Sequence, residues 1–286
     1  MIENLPWIKK KILDSLKEDM GYGDLTTNLI IPKGKMGEAS VICEEEGVLA
    51  GLEEATVLFT EFNVEVKPNY SDGDRIAQPG VEVAHLRGPL RSILTCERTA
   101  LNFLMRMSGV ATATYKTVSQ AKIINPRIRV AATRKTMPLL SFFDKKAVYL
   151  GGGDTHRLRL DDCILIKDNH IAAFGDIKKT LKTVKEKVSF TKKIEIEVES
   201  AEDALTAAQA GADIIMLDNM SPLKIIETIN TLKNNSLRDT VILEASGGIN
   251  EDNIEEYART GVDIISIGKI THSARALNLK IDVKKC

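Results

Sequence analysis

Short apolar runs alternate with amphipathic stretches along the second half of the sequence. Helical spacing of the apolar positions predicts helices over residues 201–210, 223–232 and 253–260. The apolar runs predict six strands, at residues 128–132, 163–166, 194–198, 214–217, 241–245 and 264–267. Strands that are apolar throughout and separated by helices indicate a parallel sheet with both faces covered.

Two further features favour an α/β barrel over a doubly wound sheet. The phrases Gly-Ala-Asp-Ile-Ile at 211–215 and Gly-Val-Asp-Ile-Ile at 261–265 predict two helix-to-strand junctions of the same kind. In addition, no G-x-G-x-x-G sequence follows an early strand, as it does in dinucleotide-binding doubly wound sheets. Because only six strands are evident, we expect either an incomplete barrel or a further strand near Tyr149.

The first third of the chain predicts an α+β segment instead. Apolar residues at helical intervals predict helices over residues 8–20 and 91–107. Between them, turns rich in Asn, Gly and Pro separate five short predicted strands, at residues 39–43, 47–50, 64–66, 75–76 and 81–86. The rhythm changes at about residue 126, so two kinds of architecture follow one another along the chain.

Composition and charge limit the classes of function. At 286 residues the chain is long enough for an α/β barrel of about 250 residues or for two smaller domains. A net charge of −1 argues against a general nucleic-acid-binding protein, so any basic site must be local. Four scattered cysteines predict neither a disulfide framework nor a zinc site, and they favour a reducing, cytoplasmic setting. With no apolar run of about 18 residues and no signal peptide, we expect no membrane partner.

Polar residues follow each predicted barrel strand in turn. Active sites of α/β barrels lie at the carboxyl ends of the strands, so six polar ends in succession indicate a site. These ends are Thr133-Arg134-Lys135-Thr136, Lys167-Asp168-Asn169-His170, Glu197 with Glu199, Asp218-Asn219, Ser246-Gly247-Gly248 and Gly268-Lys269. Gly151-Gly152-Gly153, followed by His156-Arg157, indicates backbone held close to a ligand, although a flexible loop and a structural histidine are the simpler alternatives.

The cations among these residues predict a polyanionic ligand. Clustered cations without a counter-charge repel one another, so such a site is stable only with an anion in it. Guanidinium groups suit carboxylates and phosphates through paired hydrogen bonds. We therefore predict a pocket for a ligand with several carboxylates or phosphates, formed by Arg98, Arg134, Lys135, His156, Arg157 and Lys167.

Carboxylates and glycine loops form the other half of the predicted site. Glu197 and Asp218 are suited to accept hydrogen bonds from ribose hydroxyls or to hold Mg²⁺; alternatively, both are exposed carboxylates at loop starts. In barrels, phosphates often bind at the loops after the last two strands. We predict a phosphate site there, at Ser246, Gly247, Gly248, Gly268 and Lys269, with a helix opening after residues 246–250.

Taken in order, these motifs resemble those of the quinolinate phosphoribosyltransferase family, and the resemblance covers nearly the whole chain. Each motif alone is weakly specific, and their combination is highly specific. The matching segments are Gly23-Asp24-Leu25-Thr26-Thr27, Glu97-Arg98-Thr99-Ala100-Leu101-Asn102, Thr133-Arg134-Lys135-Thr136, Gly151-Gly152-Gly153 with His156-Arg157, Lys167-Asp168-Asn169-His170, Leu217-Asp218-Asn219, Glu244-Ala245-Ser246-Gly247-Gly248 and Thr271-His272-Ser273.

The resemblance implies a two-domain α/β protein. Residues 1–110 and about 271–286 would form an open α/β sandwich completed by the C-terminal tail, and residues 111–270 an incomplete parallel barrel of seven strands. The implied reaction converts quinolinate and phosphoribosyl pyrophosphate to nicotinate mononucleotide, pyrophosphate and CO₂, with Mg²⁺, in NAD biosynthesis. The family also implies a homodimer, or a larger homo-oligomer built from dimers, in which one subunit's sandwich domain covers the partner's barrel mouth.

The resemblance further implies a role for each motif residue. Arg98 would reach the partner's site, while quinolinate would be held by Arg134, His156, Arg157 and Lys167. Glu197 and Asp218 would face the ribose and the Mg²⁺, directly or through water, and phosphate would lie against Ser246, Gly247, Gly248, Gly268 and Lys269. The implied catalytic residues are Lys135, Lys167, Glu197 and Asp218.

Two departures from the family pattern concern the substrate pocket. Many members read Thr-Arg-Lys-Thr-x-Pro-Gly-x-Arg, whereas here Pro138 is followed by Leu139-Leu140-Ser141. Asn often precedes the His-Arg pair, but here Thr155 does, with Asp154 before it. A negative charge beside a dicarboxylate site is unexpected unless Asp154 points to a neighbouring cation.

Three other functions are compatible with parts of the sequence. A related phosphoribosyltransferase could act on nicotinate or on the ligand of the ModD-like branch, although nicotinate has one carboxylate and needs fewer cations. A barrel aldolase would use Lys167 or Lys135 as a Schiff-base nucleophile, which needs a desolvated lysine. A non-catalytic anion-binding module would leave Glu197, Asp218 and the glycine loops unexplained.

Overall fold

A computed structural model describes residues 5–284, which fall into two compact units. The first unit contains the described residues up to Ala113, together with Tyr149–Gly151 and the segment from Ala274. The second unit contains Thr114–Val148 and Gly152–Ser273. The predicted division lies at residues 110 and 271, and the units of the structure divide after Ala113 and after Ser273.

The helices of the described residues have the following bounds. In chain order they are α1 (Pro6–Met20), α2 (Leu25–Ile30), α3 (Leu52–Glu61), α4 (Leu90–Ile124), α5 (Ser141–Leu150), α6 (Asp168–Phe174), α7 (Ile177–Lys187), α8 (Ala201–Gln209), α9 (Pro222–Asn234), α10 (Ile254–Ala258) and α11 (Lys269–His272), with a 3₁₀ turn at Arg238–Thr240 before β10. In α1, Ile8, Ile12 and Leu16 recur every four residues and are buried, which fixes the face that packs into the core.

The strands form three sheets. They are β1 (Met36–Cys43), β2 (Gly47–Val48), β3 (Glu65–Pro68), β4 (Arg75–Ile76), β5 (Val81–Pro89), β6 (Arg129–Ala131), β7 (Ile164–Ile166), β8 (Ile194–Val198), β9 (Ile214–Asp218), β10 (Ile242–Ser246), β11 (Ile264–Ser266) and β12 (Leu279–Val283). All six strands predicted in the second half of the chain are confirmed, with every bound within one residue of the prediction.

The first unit is built on an antiparallel sheet with the order β12-β1-β5-β3. The C-terminal strand β12 pairs along β1, with Ala39 opposite Val283 and Cys43 opposite Leu279. A separate small pair joins β2 to β4. The open α/β segment completed by the tail, which the resemblance implied, is therefore present.

The second unit is built on a six-stranded parallel sheet with the order β6-β11-β10-β9-β8-β7. Instead of the seventh strand implied by the resemblance, the described residues have a single parallel bridge between Ala131 of β6 and Asp154. Asp154 donates its backbone N–H to Val130, and Ala132 donates to Asp154, so the segment before His156 is fixed to the edge of the sheet.

The two faces of this sheet differ in chemistry, which corrects the expectation of strands that are apolar throughout. Side chains alternate between faces along a strand, and the parallel register carries that alternation across the sheet. One face, here called the apolar face, bears buried Ile196, Val198, Ile215, Leu217, Leu243 and Ala245. The opposite face, here called the charged face, bears Glu195, Glu197, Met216, Asp218, Glu244, Ser246 and Ser266.

Two predictions about helices and one about a strand differ from the structure. The helix expected to end at residue 107 continues to Ile124 as α4 and includes Gly109. Position 109 requires glycine because a Cβ there would lie 2.1 Å from the backbone oxygen of Arg275. Tyr149 lies in α5 rather than in a further strand, since Phe143, Ala147 and Val148 are buried at helical spacing. Residues 246–250 do not open a helix directly; α10 begins at Ile254. Among the described residues, no helix has the length and apolarity needed to cross a membrane.

Candidate active site

Three of the predicted site residues, Glu197, Asp218 and Ser246, lie on the charged face of the second unit. The register places Glu197, Met216 and Glu244 in one row across β8, β9 and β10. Asp218 and Ser246 are paired two residues further along, at the carboxyl end of the sheet. Glu197, Asp218 and Ser246 therefore lie toward the strand ends on one face, and the alternation of side chains explains why they share it.

His156 is hydrogen-bonded to two glutamates that are completely buried on the charged face. Its Nε2 lies 3.1 Å from Glu244 Oε2 and 3.5 Å from Glu195 Oε2, and both glutamate side chains are 0% exposed. Burial on its own would lower the pKa of His156, but the hydrogen bonds and negative charges of Glu195 and Glu244 raise it to about 10. His156 is therefore an imidazolium at neutral pH.

These glutamates correct the expectation of a cation cluster without counter-charge. His156 is balanced by Glu195 and Glu244, and Lys167 forms an ion pair with Glu197. The Oε1 atoms of both buried glutamates and the hydroxyl of Ser266 are buried and have no hydrogen-bond partner among the described residues. The ligand atoms of His156, Glu195 and Glu244 all lie within 4.8 Å of one another, so these three groups are also close enough to hold a metal ion.

A second group of charges surrounds Asp218. Burial and the nearby carboxylates of Glu197 and Glu199 raise the pKa of Asp218, while the charges of Lys167 and Lys135 act in the opposite direction. The structure thus brings together Lys135, Lys167, Glu197 and Asp218, the four residues predicted to be catalytic. Two carboxylates with cations on either side form a bipolar site that can accept sugar hydroxyls and attract phosphate oxygens.

The arginines of the predicted substrate pocket lie close to a lysine that the sequence did not single out. Lys145 of α5 is only 2% exposed, and its Nζ donates to the backbone oxygen of Thr155. Burial lowers the pKa of Lys145 to about 8; Asp154 opposes this effect, and the charges of Arg134 and Arg157 add to it. These interactions place Arg134, Arg157 and Lys145 around one region of positive potential.

The two departures from the family pattern have structural explanations. Asp154 does not face the substrate pocket with an unpaired charge, because its Oδ2 lies 2.9 Å from Arg129 Nη2 and its Oδ1 accepts from the backbone N–H of His156 at 2.8 Å. Ser141 lines a cavity of about 490 Å³ together with Arg134. Leu139 adopts a left-handed conformation with φ of 65°, which explains why a glycine is suited to that position.

The predicted phosphate loop is held tightly against the neighbouring strand end. Gly247 has φ of 93°, and a Cβ there would lie 2.7 Å from the backbone nitrogen of Asn219, so only glycine fits without a backbone shift. Asn219 in turn donates its backbone N–H to Ser246 at 2.9 Å. Gly248 is exposed with φ of 66°, so the loop offers backbone to an incoming ligand.

Lys135, in the loop after β6, contacts the predicted phosphate loop that follows β11. Its backbone oxygen accepts a hydrogen bond from Thr271 Oγ1 at 2.7 Å, and a Cβ on Gly268 would lie 3.1 Å from Lys135 Cδ. The loops after β6 and β11 are therefore joined directly. Lys269 is exposed on α11 and makes no ion pair with another described residue.

Arg98 is the one predicted substrate residue in the first unit. It is exposed on α4, in a different unit from the other predicted substrate residues. His170, part of the Lys-Asp-Asn-His motif, has a structural role: its Nδ1 accepts from the backbone N–H of Lys167 at 2.9 Å and caps α6.

Three residues of this site were not predicted as site residues: Lys145, Glu195 and Glu244. The signal for the glutamates is present in the sequence, since Ile-Glu-Ile-Glu-Val and Ile-Leu-Glu-Ala-Ser alternate with a period of two. Lys145 occupies a buried position among the apolar residues of α5. A charged residue at a core position of an otherwise apolar element is the general form of this signal.

Comparisons with known proteins agree with the motifs. The family model of the quinolinate phosphoribosyl transferase N-terminal domain matches residues 24–108, and that of the C-terminal domain matches residues 110–282. A protein of Methanothermobacter thermautotrophicus, named as a probable nicotinate-nucleotide pyrophosphorylase (carboxylating), is 50% identical over 273 residues, which cover 96% of this chain and 98% of that protein.

Two further relatives extend the similarity. The nicotinate-nucleotide pyrophosphorylase (carboxylating) of Homo sapiens is 36% identical over 244 residues, covering 85% of this chain and 81% of the human protein. The crystal structure of NadC from Streptococcus pyogenes superposes with a TM-score of 0.90 at 39% sequence identity, covering 98% of this chain and 96% of that one. The chain therefore belongs to the quinolinate phosphoribosyl transferase family.

Proposed function

We propose that quinolinate and phosphoribosyl pyrophosphate react over the charged face of the second unit. The reaction is that of the family: the phosphoribosyl group is transferred to quinolinate, and nicotinate mononucleotide, pyrophosphate and CO₂ are released in NAD biosynthesis. The observation that carries the assignment of the site is the meeting of two groups in one unit. A cationic group contains Arg134, His156 and Arg157, and a bipolar group contains Lys135, Lys167, Glu197 and Asp218.

The cationic group is assigned to quinolinate. This substrate has two adjacent carboxylates, so it needs several fixed donors within a small volume. Arg134 is exposed on the wall of the cavity, Arg157 is partly buried, and His156 is an imidazolium with one ring nitrogen left to donate. Lys167 lies between the two groups, since it pairs with Glu197 and also acts on Asp218.

The bipolar group is assigned to phosphoribosyl pyrophosphate. Glu197 and Asp218 accept the ribose hydroxyls, and the loop at Ser246, Gly247 and Gly248 holds phosphate beside Asp218, to which Ser246 is paired in the sheet. The final loop at Gly268 and Lys269 completes this site. Positive charge on the ribose grows as pyrophosphate departs, so positioning and electrostatic stabilisation by fixed charges account for much of the rate.

Mg²⁺ is proposed as the cofactor, held by Glu197 and Asp218. The donor chemistry fits, because Mg²⁺ is usually bound by one or two carboxylates together with water and substrate phosphates. The raised pKa of Asp218, caused by burial and by the charge of Glu197, also indicates that a cation at this point would relieve the repulsion. When bound, the ion neutralises the charge of the departing pyrophosphate.

We further propose a homodimer, or a larger assembly of dimers, in which Arg98 serves the partner's site. Arg98 is exposed on α4, and the same unit exposes apolar Leu25, Leu29 and Ile30 on α2, a surface suited to burial between subunits. A cytoplasmic location is part of the proposal. It is supported by Cys43 and Cys96, which are buried thiols without a disulfide.

The assignment of substrate and metal is tested by a direct assay. Purified protein with quinolinate, phosphoribosyl pyrophosphate and Mg²⁺ is expected to release nicotinate mononucleotide, and removal of the metal by a chelator is expected to stop turnover until Mg²⁺ is returned. Turnover of nicotinate in place of quinolinate would overturn the assignment of quinolinate as the substrate. Full activity in the presence of the chelator would overturn the assignment of Mg²⁺ as the cofactor.

The shared site is tested by mixing two inactive variants. In Arg98→Ala and Arg134→Ala homodimers every site lacks one arginine. In a hybrid dimer, if Arg98 acts on the partner, one site lacks both arginines and the other is intact. Unfolding and refolding the two variants together is then expected to restore activity. Absence of any recovery, with dimers confirmed by light scattering, would contradict a role in trans.

A further inference from the structure

His156 is held at both its backbone and its ring. It has a left-handed backbone with φ of 52°, a conformation that is strained for a residue with a side chain. Its backbone N–H is bound by Asp154, and the carbonyl before it is bound by the buried Lys145. A strained residue held from several directions indicates that its exact placement matters.

The two buried glutamates hold the ring by a single atom. Glu195 lies on β8 and Glu244 on β10, so they belong to the strands on either side of β9. Both approach Nε2, from 3.5 Å and 3.1 Å. With acceptors on two sides, the ring cannot turn toward one glutamate without losing the other. Nδ1 has no hydrogen bond within residues 5–284 and is the nitrogen left for a ligand.

Their burial argues against a merely incidental contact. Placing a carboxylate in the interior is strongly unfavourable unless it is paired. Here two are buried completely around one histidine, and each keeps an Oε1 without a partner. Packing alone would favour apolar residues at these positions, like Leu243 and Ala245 on the opposite face.

We propose that Glu195 and Glu244 are positioning residues that hold the His156 ring by Nε2–H, so that Nδ1–H donates to a carboxylate of quinolinate. They act through His156 and do not touch the substrate. The proposal rests on quinolinate as the substrate. Because the hydrogen bond of Glu244 is the shorter of the two, Glu244 is expected to matter more than Glu195.

The test is the effect of substitutions on the two Michaelis constants. Glu244→Ala removes a charged hydrogen-bond partner and is expected to raise KM for quinolinate about tenfold, with KM for phosphoribosyl pyrophosphate changed less than about twofold. Glu244→Gln keeps an acceptor at the same place and is expected to recover most of that loss. Glu195→Ala is expected to have a smaller effect of the same kind. Equal increases in both constants would overturn the proposal.

A matched control separates positioning from general damage to the fold. Glu54 on α3 is also 0% exposed, but it lies in the first unit. Glu54→Ala is expected to lower the unfolding midpoint without changing the ratio of the two Michaelis constants. If Glu244→Ala does not fold, Glu195→Ala and the two Gln variants carry the same test. An altered ratio in Glu54→Ala would show that the ratio reports damage rather than positioning, and would overturn the proposal.

A double-mutant cycle tests whether the glutamates act through His156. His156→Ala removes the ring, so adding Glu244→Ala is expected to change KM for quinolinate by less than about twofold further. Losses that multiply would show that Glu244 acts independently and would overturn the proposal.

Metal analysis of the purified wild-type protein covers the remaining possibility. One equivalent of a transition metal that is lost in Glu244→Ala would make His156, Glu195 and Glu244 a metal site and would also overturn the proposal. Absence of bound transition metal supports positioning by hydrogen bonds. A wild-type protein inactive with quinolinate would instead overturn the proposed substrate, which the direct assay detects separately.

Discussion

The two faces of the parallel sheet in the second unit have different roles, although the same strands form both. Leu243 and Glu244 are neighbours on β10, and both are 0% exposed. Leu243 contributes to the apolar core, whereas Glu244 holds His156 on the charged face. Burial alone therefore does not distinguish a core residue from a site residue. The face of the strand does, because a step of one residue reverses the direction of the side chain.

The largest expected effect lies on the apolar face. Leu243→Ala removes a fully buried side chain, and we expect a loss of about 2–5 kcal/mol in the free energy of unfolding. The Michaelis constants of the protein that remains folded should not change. Denaturant unfolding with steady-state kinetics checks both parts. The control is Leu223→Ala on α9, where the leucine is 75% exposed and the expected loss is below about 0.5 kcal/mol.

A large effect on binding is expected near the charged face. Arg134→Ala should raise KM for quinolinate about a hundredfold, equivalent to about 2.7 kcal/mol, because a guanidinium–carboxylate contact is lost. KM for phosphoribosyl pyrophosphate should change far less. Arg259→Ala is the matched control, since Arg259 of the same unit is exposed and already paired with Glu255. If both substrates were affected equally in Arg134→Ala, its assignment to quinolinate would be wrong.

The buried ion pairs of the charged face predict an unusual pH dependence for His156. The pKa of His156 is raised from 6.5 to about 10, so the folded protein keeps a proton that the unfolded chain releases. The stabilisation from this proton is complete below pH 6.5 and is lost as the pH rises toward 10. Ring NMR signals, identified by their absence in His156→Asn, should therefore not titrate between pH 6 and 8.5. A midpoint near 6.5 would contradict the buried ion pair.

The smallest effect is expected outside both faces, at Leu139. Replacing Leu139 by Gly relieves a left-handed backbone but increases the entropy of the unfolded chain, so we expect a net stabilisation of about 0.5 kcal/mol. Leu160→Gly, at an exposed position without a positive φ, should be destabilising instead. Thermal unfolding of the two variants checks the opposite signs, and destabilisation of both would refute the strain at Leu139.

Much of the barrel architecture was predictable from local pattern. Apolar runs located β6 to β11, because apolar residues recur along each of these strands even where glutamates interrupt β8 and β10. Helices were harder to predict: α2, α3, α5, α6, α7 and α11 were not predicted. In α7, charged residues surround the few apolar ones, and Thr180 and Leu181 are its only buried positions. The end of α4 was missed because Gly109 resembles a helix terminus until the backbone of Arg275 is seen beside it.

The family, the α/β class and the polar strand ends were all predictable from the sequence, since each depends on residues close together in the chain. The pairing of the charges depends on the tertiary structure. His156 and Glu244 are 88 residues apart, and Asp154 is turned toward Arg129 by a bridge at the edge of the sheet. A strand pattern shows that a glutamate is buried. The cation that pairs with this glutamate is set by the order of the strands in the sheet. A local sequence pattern does not contain that order.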